Sequence, residues 1–503
     1  MSSERKSLLA VLLFVLFIQS LLGLFDQVES RQGHGEMVGH TKARISNIFD
    51  GHSVDCTTPQ DELSDMIAIP EAEGCWHYRS FSVIFELIYA LSFVLGSGYV
   101  GIKIFSLFLS SIEIILLFQL INRHYGVRKA TLSSIVYSTL PMYLYYAQVS
   151  LPHHLNTIVI LLAALYSLPV LLGQDVSRTR RFIGWMILII GPFAGIIVAF
   201  AWAGFALFVL LHHERRNRKG FFTSICLVMI PVIAFSTQLL LNHILGHGVT
   251  AYTDRFSARS SLHSFIEPSF WILFIDNLTN VIGPIGIVVI LVSVIRRQDV
   301  LSFPAEIKLS LIGMGSMLFW TLFFFQSSFV ECCTYFAYPI VPLIAILSTK
   351  TFDMNRSSGA GIFSALIMLS MIAGLQLHSV PNNYFERPMQ TYVIENITDE
   401  DATVVLDGEL IQFNGFRFQL PNGSINIDSS SAPERLSYII EHRTPDHIIL
   451  SAAAFENMNA RAVFNESGYC VTQLESDPHL PDHWVSGWMS EWLPIRVAVR
   501  CDS

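Results

Sequence analysis

The chain has 503 residues, 52% hydrophobic and 14% charged, with a mean hydropathy of +0.49. That is more apolar surface than a soluble core of this length uses, so the class is a multi-span membrane protein. The formal charge of −9, with basic residues in short clusters between apolar runs, argues against a nucleic-acid partner.

Met1 to Lys6 is short and basic, and residues 8–24 are apolar. Phe25, Asp26 and Gln27 make no small-x-small cleavage site, which predicts an uncleaved first helix with its N-terminus inside. Residues 25–80 then form a first outer loop holding Cys56 and Cys75, whose compartment favours a disulfide. Within it, the polar stretch 31–52 places Glu36 between His34 and His40, with Arg44 two helical turns on. A carboxylate there could take a proton from an attacking hydroxyl, or could be a solvated loop acid.

The run 81–95 is short for a span and carries Glu86, which predicts an interfacial or re-entrant helix. With 98–121 as the second crossing, Arg123, His124, Arg128 and Lys129 fall inside, as the positive-inside bias requires. Spans near 130–148 and 155–173 go out and back to Arg178, Arg180 and Arg181. Residues 182–212 lie between inside-type charges and are expected to cross twice as short helices broken near Gly191, Pro192 and Gly195. Residues 221–241 exit to a second outer loop, 242–270; 271–295 return to Arg296 and Arg297; 309–325 exit, 337–349 re-enter and 359–376 exit. The expected fold is thus an α-helical polytopic membrane protein of about eleven spans over residues 1–376, with a small extracytoplasmic α/β domain over 377–503. That domain is read from alternating runs such as ATVVLD and HIILSA. Cys470 and Cys501 can pair there, and Cys226 is the cysteine of the seven that falls within a span.

Several segments together resemble the GT-C glycosyltransferases that use polyprenyl-phosphate sugars, in the branch of protein O-mannosyltransferases and lipid A aminoarabinose transferases. HGEMVGHTKARISNIFDGH resembles that branch's Asp-Glu loop, and LGSGYVGIKIFSLFLSS its Phe-Gly, aromatic, Arg-Leu-Pro-Ser segment, with Lys103 at the Arg position. LPMYLYYAQVSLPHHLNTIVILL is similar to its Pro, Tyr, small residue, Pro-Asp segment, and TYFAYPIVPLIAIL to its late Arg-Tyr, Pro, Pro motif. Three positions depart from the pattern: Gly35 stands where Asp is usual, His153 where an acid follows Pro152, and Thr334 where Arg often precedes Tyr335.

The resemblance implies transfer of a sugar from a polyprenyl-phosphate carrier to a protein, lipid or glycan acceptor on the extracytoplasmic face, with inversion. Such a site needs a carboxylate base and cations for the lipid phosphate. Glu36 is the candidate base, with Asp50 and Asp26 in reserve; Arg44, Arg79, Lys103, Arg255, Arg259, His34 and His40 are candidates for substrate binding. Arg255 and Arg259, four apart, would share one face of a helix, as a phosphate clamp or a solvated basic face. The sequence identifies no cofactor; a divalent metal is a candidate, with His34, Glu36 and His40 as the ligands it could use. Glu113 and Asp276 are acids within or near spans, where pairing inside the bundle is the plainer role, and Tyr143, Tyr145 and Tyr146 read as an interfacial aromatic belt.

Membrane lipids are expected partners. The setting is a cell membrane in a prokaryote or the endoplasmic reticulum membrane in a eukaryote. Three rival readings stand beside this one: an oligosaccharyltransferase or polymer ligase, a transporter and a non-catalytic assembly protein. A transporter should show two related halves, and no repeat is visible; an assembly protein would need neither base nor phosphate clamp.

Overall fold

The computed structural model describes residues 2–25, 83–95, 99–149, 152–195, 197–212, 218–244, 268–324, 337–352, 357–382, 392–393, 395–399, 402–407, 425–427, 433–474 and 495–501. They divide into two units, one drawn from residues 1–25 and 79–377 and the other C-terminal.

The first unit is helical. Helix α1, Ser3–Leu21, starts at Ser2, whose hydroxyl accepts the Arg5 amide. Helix α2, Val83–Ala90, runs into a 3₁₀ turn, Leu91–Leu95, and buries Phe85 and Tyr89 while Leu87, Leu91 and Leu95 stay exposed. Helix α3, Tyr99–Thr139, carries Gly126 at φ 79°, in the left-handed region that glycine enters without steric penalty. A straight helix would separate Glu113 from Tyr137, 24 residues apart, by about 36 Å. Their side chains are hydrogen-bonded, so the chain doubles back at Gly126 and α3 is a hairpin of two arms, 99–125 and 127–139.

Helix α4, Pro141–Tyr146, extends the second arm after a break at Leu140, and α5, His153–Leu171, contains a π turn at Ala163–Ser167. Helix α6, Arg178–Ile190, ends in a 3₁₀ turn at Gly191–Ala194, and α7, Ala199–Leu211, resumes after it. The expected break at Gly191, Pro192 and Gly195 is therefore present, and its local cause is visible. A Cβ on Gly191 would lie 2.5 Å from a Trp202 ring carbon, and the Trp202 indole N–H donates to the Leu188 carbonyl at 3.0 Å. Helices α8, Arg218–Ile244, α9, Pro268–Ile295, α10, Arg297–Leu301, α11, Ala305–Phe324, α12, Ile340–Thr351, and α13, Ser357–Asn382, complete the unit.

Among the described residues, four helices have the length and hydropathy of a span: Val100–Thr139, His153–Leu171, Arg218–Leu240 and Ala305–Phe324. Shorter apolar helices are Ala199–Leu211, Val281–Ile295, Ile340–Thr351 and Gly359–Leu375. Helix α8 exposes Phe221, Phe222, Val228, Val232 and Ile233, apolar surface that water would penalise and lipid accepts. The protein is a multi-pass membrane protein.

Three basic groups of the sequence gather at one end of this unit. Lys129 Nζ donates to the Phe352 carbonyl at 2.8 Å, Arg296 to the Lys350 carbonyl at 3.3 Å, and Lys350 lies 5.1 Å above the Tyr125 ring. The chain returns to the same end at 123–129, 296–297 and 350.

The second unit is a five-stranded sheet with helices. Strands β1, Val404–Asp407, and β2, Ile425–Ile427, precede α14, Pro433–Arg443; β3, His447–Leu450, precedes α15, Ala452–Asn457, and α16, Ala460–Ser467; β4, Tyr469–Gln473, and β5, Arg496–Arg500, follow. The order is β2-β1-β3-β5-β4, with β1 parallel to β2 and β3, and β5 antiparallel to β3 and β4. Both runs read as strands, ATVVLD and HIILSA, supply the central pair. Val405, Ile439, Ile448, Phe455 and Phe464 form the core, and Cys470 pairs with Cys501 in a disulfide. Cys226, expected within a span, lies free in α8.

Candidate functional site

Of the residues proposed from the sequence, Lys103 is described. Glu36, His34, His40, Arg44, Asp26, Asp50, Arg79, Arg255 and Arg259 lie outside the described residues, and so do Cys56 and Cys75. Asp276 falls in α9.

Lys103 begins a polar face on the first arm of α3. Lys103, Ser106, Ser110 and Glu113 are spaced by three, four and three residues, which puts them on one side of a helix, and each is at most 1% exposed. Each has a partner on another segment or on the returning arm. Lys103 Nζ donates to the Gly23 carbonyl at 3.1 Å, just beyond the end of α1. Ser106 Oγ lies 3.2 Å from the Tyr89 hydroxyl of α2, and Ser110 Oγ lies 3.1 Å from the Tyr143 hydroxyl of α4. An apolar medium leaves such groups no water, so the ladder is what makes a buried polar face tolerable.

Glu113 is the far end of that face and the centre of a buried polar cluster. Its carboxylate accepts from the Tyr137 hydroxyl, on the returning arm of α3, and from the Tyr338 hydroxyl, just before α12, at 3.0 Å. His154, in the first turn of α5, brings Nδ1 to 3.1 Å from the other carboxylate oxygen. His153 packs on both neighbours, with ring centroids 3.9 Å from His154 and 4.3 Å from Tyr338. All these side chains are buried. A buried acid in a membrane bundle is expensive unless paired, and three hydrogen bonds with three segments supply the pairing.

The close approach of α4 makes the cluster possible. Gly283, at φ 61° in α9, and Gly374 in α13 both face Pro141 where a Cβ would intrude, at 2.9 Å from the Pro141 Cγ and 3.2 Å from its Cα. Pro284 follows Gly283, and the Ile285 amide donates to Ser370 Oγ at 3.1 Å.

One sequence reading changes here and one holds. Tyr143, Tyr145 and Tyr146 are buried inside the protein and form no lipid-facing belt, because α4 is enclosed by α3, α9 and α13. Glu113 does pair within the bundle, and its partners are two tyrosines and a histidine. The signals were the three-four-three spacing leading to Glu113 and the His153–His154 doublet after Pro152. Which tyrosines would join them depended on the hairpin at Gly126. Among the described residues no group of three or more His, Cys, Asp or Glu side chains stands as a metal site.

No protein-family model and no curated protein matches the sequence. Solved structures do match in fold. ArnT from Cupriavidus metallidurans bound to undecaprenyl phosphate superposes with a TM-score of 0.60 at 12% identity, covering 98% of this chain and 97% of that one. The same protein in the apo state gives 0.56 at 11% identity, over 99% and 98%. The Archaeoglobus fulgidus oligosaccharyltransferase tethered to an acceptor peptide containing the NVT sequon gives 0.51 at 12% identity, over 91% of this chain and 70% of that one. The chain has the GT-C fold of these membrane glycosyltransferases.

Proposed function

We propose that this protein transfers a sugar from a polyprenyl-phosphate carrier to an acceptor on the extracytoplasmic side of the membrane. The observation that carries the reading is the fold match over nearly the whole of both chains with a protein that binds undecaprenyl phosphate. In the reaction, the acceptor oxygen bonds to the anomeric carbon as the bond from that carbon to the phosphate oxygen breaks, so configuration inverts. The acceptor's proton passes to Glu36, and the charge left on the lipid phosphate is met by guanidinium groups from Arg44, Arg79, Arg255 and Arg259. His34 and His40 flank the base. Lys103 joins the phosphate set through the resemblance of its segment, and its bond to the Gly23 carbonyl, just before the first outer loop of this reading, supports that role.

Eleven spans over 1–376 put the N-terminus inside and residues 377–503 outside, where that domain positions the acceptor. The gathering of three basic groups at one end of the helical unit supports that parity.

The test uses the full chain in lipid nanodiscs with radiolabelled polyprenyl-phosphate sugars, following release of polyprenyl phosphate. Wild type should turn over with at least one sugar. Glu36→Gln should cut transfer roughly 100- to 10,000-fold while the lipid still binds. Transfer at full rate by Glu36→Gln would remove the base assignment.

A further inference from the structure

The Glu113 cluster has a hydrogen-bond order that can be worked out. His154 Nε2 lies 3.2 Å from the Tyr146 carbonyl, and a carbonyl can only accept, so Nε2 carries a hydrogen. Both tyrosine hydroxyls go to Glu113 Oε2, and Oε1 faces His154 Nδ1. One proton is therefore shared between Oε1 and Nδ1. Whichever atom holds it, the pair is neutral overall, as a bundle interior demands.

Tyr146 is the last residue of α4, and its carbonyl, beyond the reach of the helix's own donors, accepts the Val149 amide at 3.0 Å with room for further donors. His154 and His153, whose Nε2 is 3.3 Å from the same oxygen, cap it from the first turn of α5. The α4–α5 turn is thus tied to Glu113 on one side. On the other it is tied to α1: Gln148 Nε2 donates to the Gln19 carbonyl at 2.8 Å and to its side-chain oxygen at 2.7 Å, and Gln19 Nε2 donates to the Leu144 carbonyl at 3.4 Å. Ile18, Leu22 and Leu144 pack in the same place. A continuous set of contacts therefore runs from Glu113 through the turn to the end of α1.

We propose that Glu113 and His154 are a positioning pair: by capping α4 they fix the α4–α5 turn, and through Gln148 and Gln19 that turn holds the end of α1, where the first outer loop begins. Its effect on catalysis rests on the reading above, in which that loop carries the base; its effect on α1 does not.

Glu113→Gln separates positioning from charge. Its amide oxygen accepts both tyrosines, and its N–H₂ donates to Nδ1 of a neutral His154 that keeps Nε2–H on the Tyr146 carbonyl. Hydrogen exchange on the full chain in nanodiscs is the readout. Glu113→Leu and His154→Phe should speed exchange in residues 16–25 and 140–149 by about tenfold, equivalent to ~1.4 kcal/mol of local opening. Glu113→Gln should stay within about twofold of wild type, and α7 and α11 should be unchanged in all three. Gln148→Leu, which spares the cluster, should loosen 16–25 and serves if Glu113→Leu does not fold. With a sugar donor that supports turnover, Glu113→Leu should lower kcat about tenfold with KM for the lipid donor within about twofold, and Glu113→Gln should restore it. The proposal is overturned if 16–25 exchange as in wild type in both Glu113→Leu and Gln148→Leu, if Glu113→Gln loosens them as much as Glu113→Leu, or if α7 and α11 loosen equally. Absence of transfer by wild type would count against the proposed function alone, because the exchange result still decides the pair.

Discussion

Replacing Gly283 with alanine probes the joint that lets α4 reach the Glu113 cluster. The backbone there has φ 61° and ψ −179°, a region that glycine alone enters readily, and an L-residue there pays about 1–3 kcal/mol. The new Cβ would also meet the Pro141 ring at 2.9 and 3.0 Å and Ser370 Oγ at 3.2 Å, the oxygen that accepts the Ile285 amide. A proline ring cannot turn aside, so α4 must shift, and overpacking of this kind costs about 1–3 kcal/mol more. The total is roughly 2–6 kcal/mol. Two other glycines separate the terms. Gly126 shares this backbone region, at φ 79° and ψ 170°, but a methyl group added there would have nothing within 4 Å, so Gly126→Ala should lose only the backbone cost of about 1–3 kcal/mol. Gly315 sits within α11 with open space around it, so Gly315→Ala should be neutral or stabilising by up to about 1 kcal/mol. Equilibrium unfolding of the full chain in mixed detergent–SDS micelles gives the three differences. Gly283→Ala no worse than Gly126→Ala would refute the contact argument, and a loss at Gly315→Ala equal to either would refute the use of these backbone and space arguments altogether.

The C-terminal unit should lose stability in mild acid. Burial lowers the pKa of His447 from its ordinary 6.5, against a smaller upward pull from Asp446, and Nδ1 lies 3.0 Å from the Tyr392 hydroxyl. The unfolded chain then binds more protons than the native one, so this stability is complete above 6.5 and falls as pH drops through 6.5 toward the lowered folded value. Protection in residues 433–450, with the intrinsic exchange rate divided out, should fall between about pH 7.5 and about pH 5.5, and His447→Gln should flatten that response. Non-reducing peptide mapping should recover Cys470 linked to Cys501, and replacing both by serine should destabilise this unit by about 2–4 kcal/mol, given the 31-residue separation. Reporters fused after Ser503 and after Arg297 should be active outside and inside the cytoplasm respectively; the reverse at either point would break the parity argument.

Much of the helical unit could be read from periodic hydropathy and charge. The break near Gly191 and Pro192 was legible because Gly-Pro inside an apolar run leaves few alternatives, and the ATVVLD and HIILSA strands because β-branched runs lay between turn residues. The cluster was only half legible. Glu113 stood out as an acid in an apolar helix, but its hydrogen-bond partners are Tyr137, His154 and Tyr338, separated from it by 24, 41 and 225 residues. Their convergence depends on the reversal at Gly126 and on Gly283 and Gly374 admitting Pro141. Pattern reading sees each glycine but not which helix comes to rest against it. Tyr143 and Tyr146 were misread for the same reason: aromatic residues near a span end suit a membrane interface, and only the packing of α4 shows that they face inward.

A protein that takes its sugar from a polyprenyl phosphate must hold that lipid by its phosphate as well as by its chain. The most direct measurement is native mass spectrometry of the full chain with undecaprenyl phosphate, set against undecaprenol of the same chain length. The phosphate should be retained and the alcohol not, with retention weakened in Arg255→Ala and Arg259→Ala. Equal retention of phosphate and alcohol, or of the phosphate by wild type and both arginine variants, would contradict this reading.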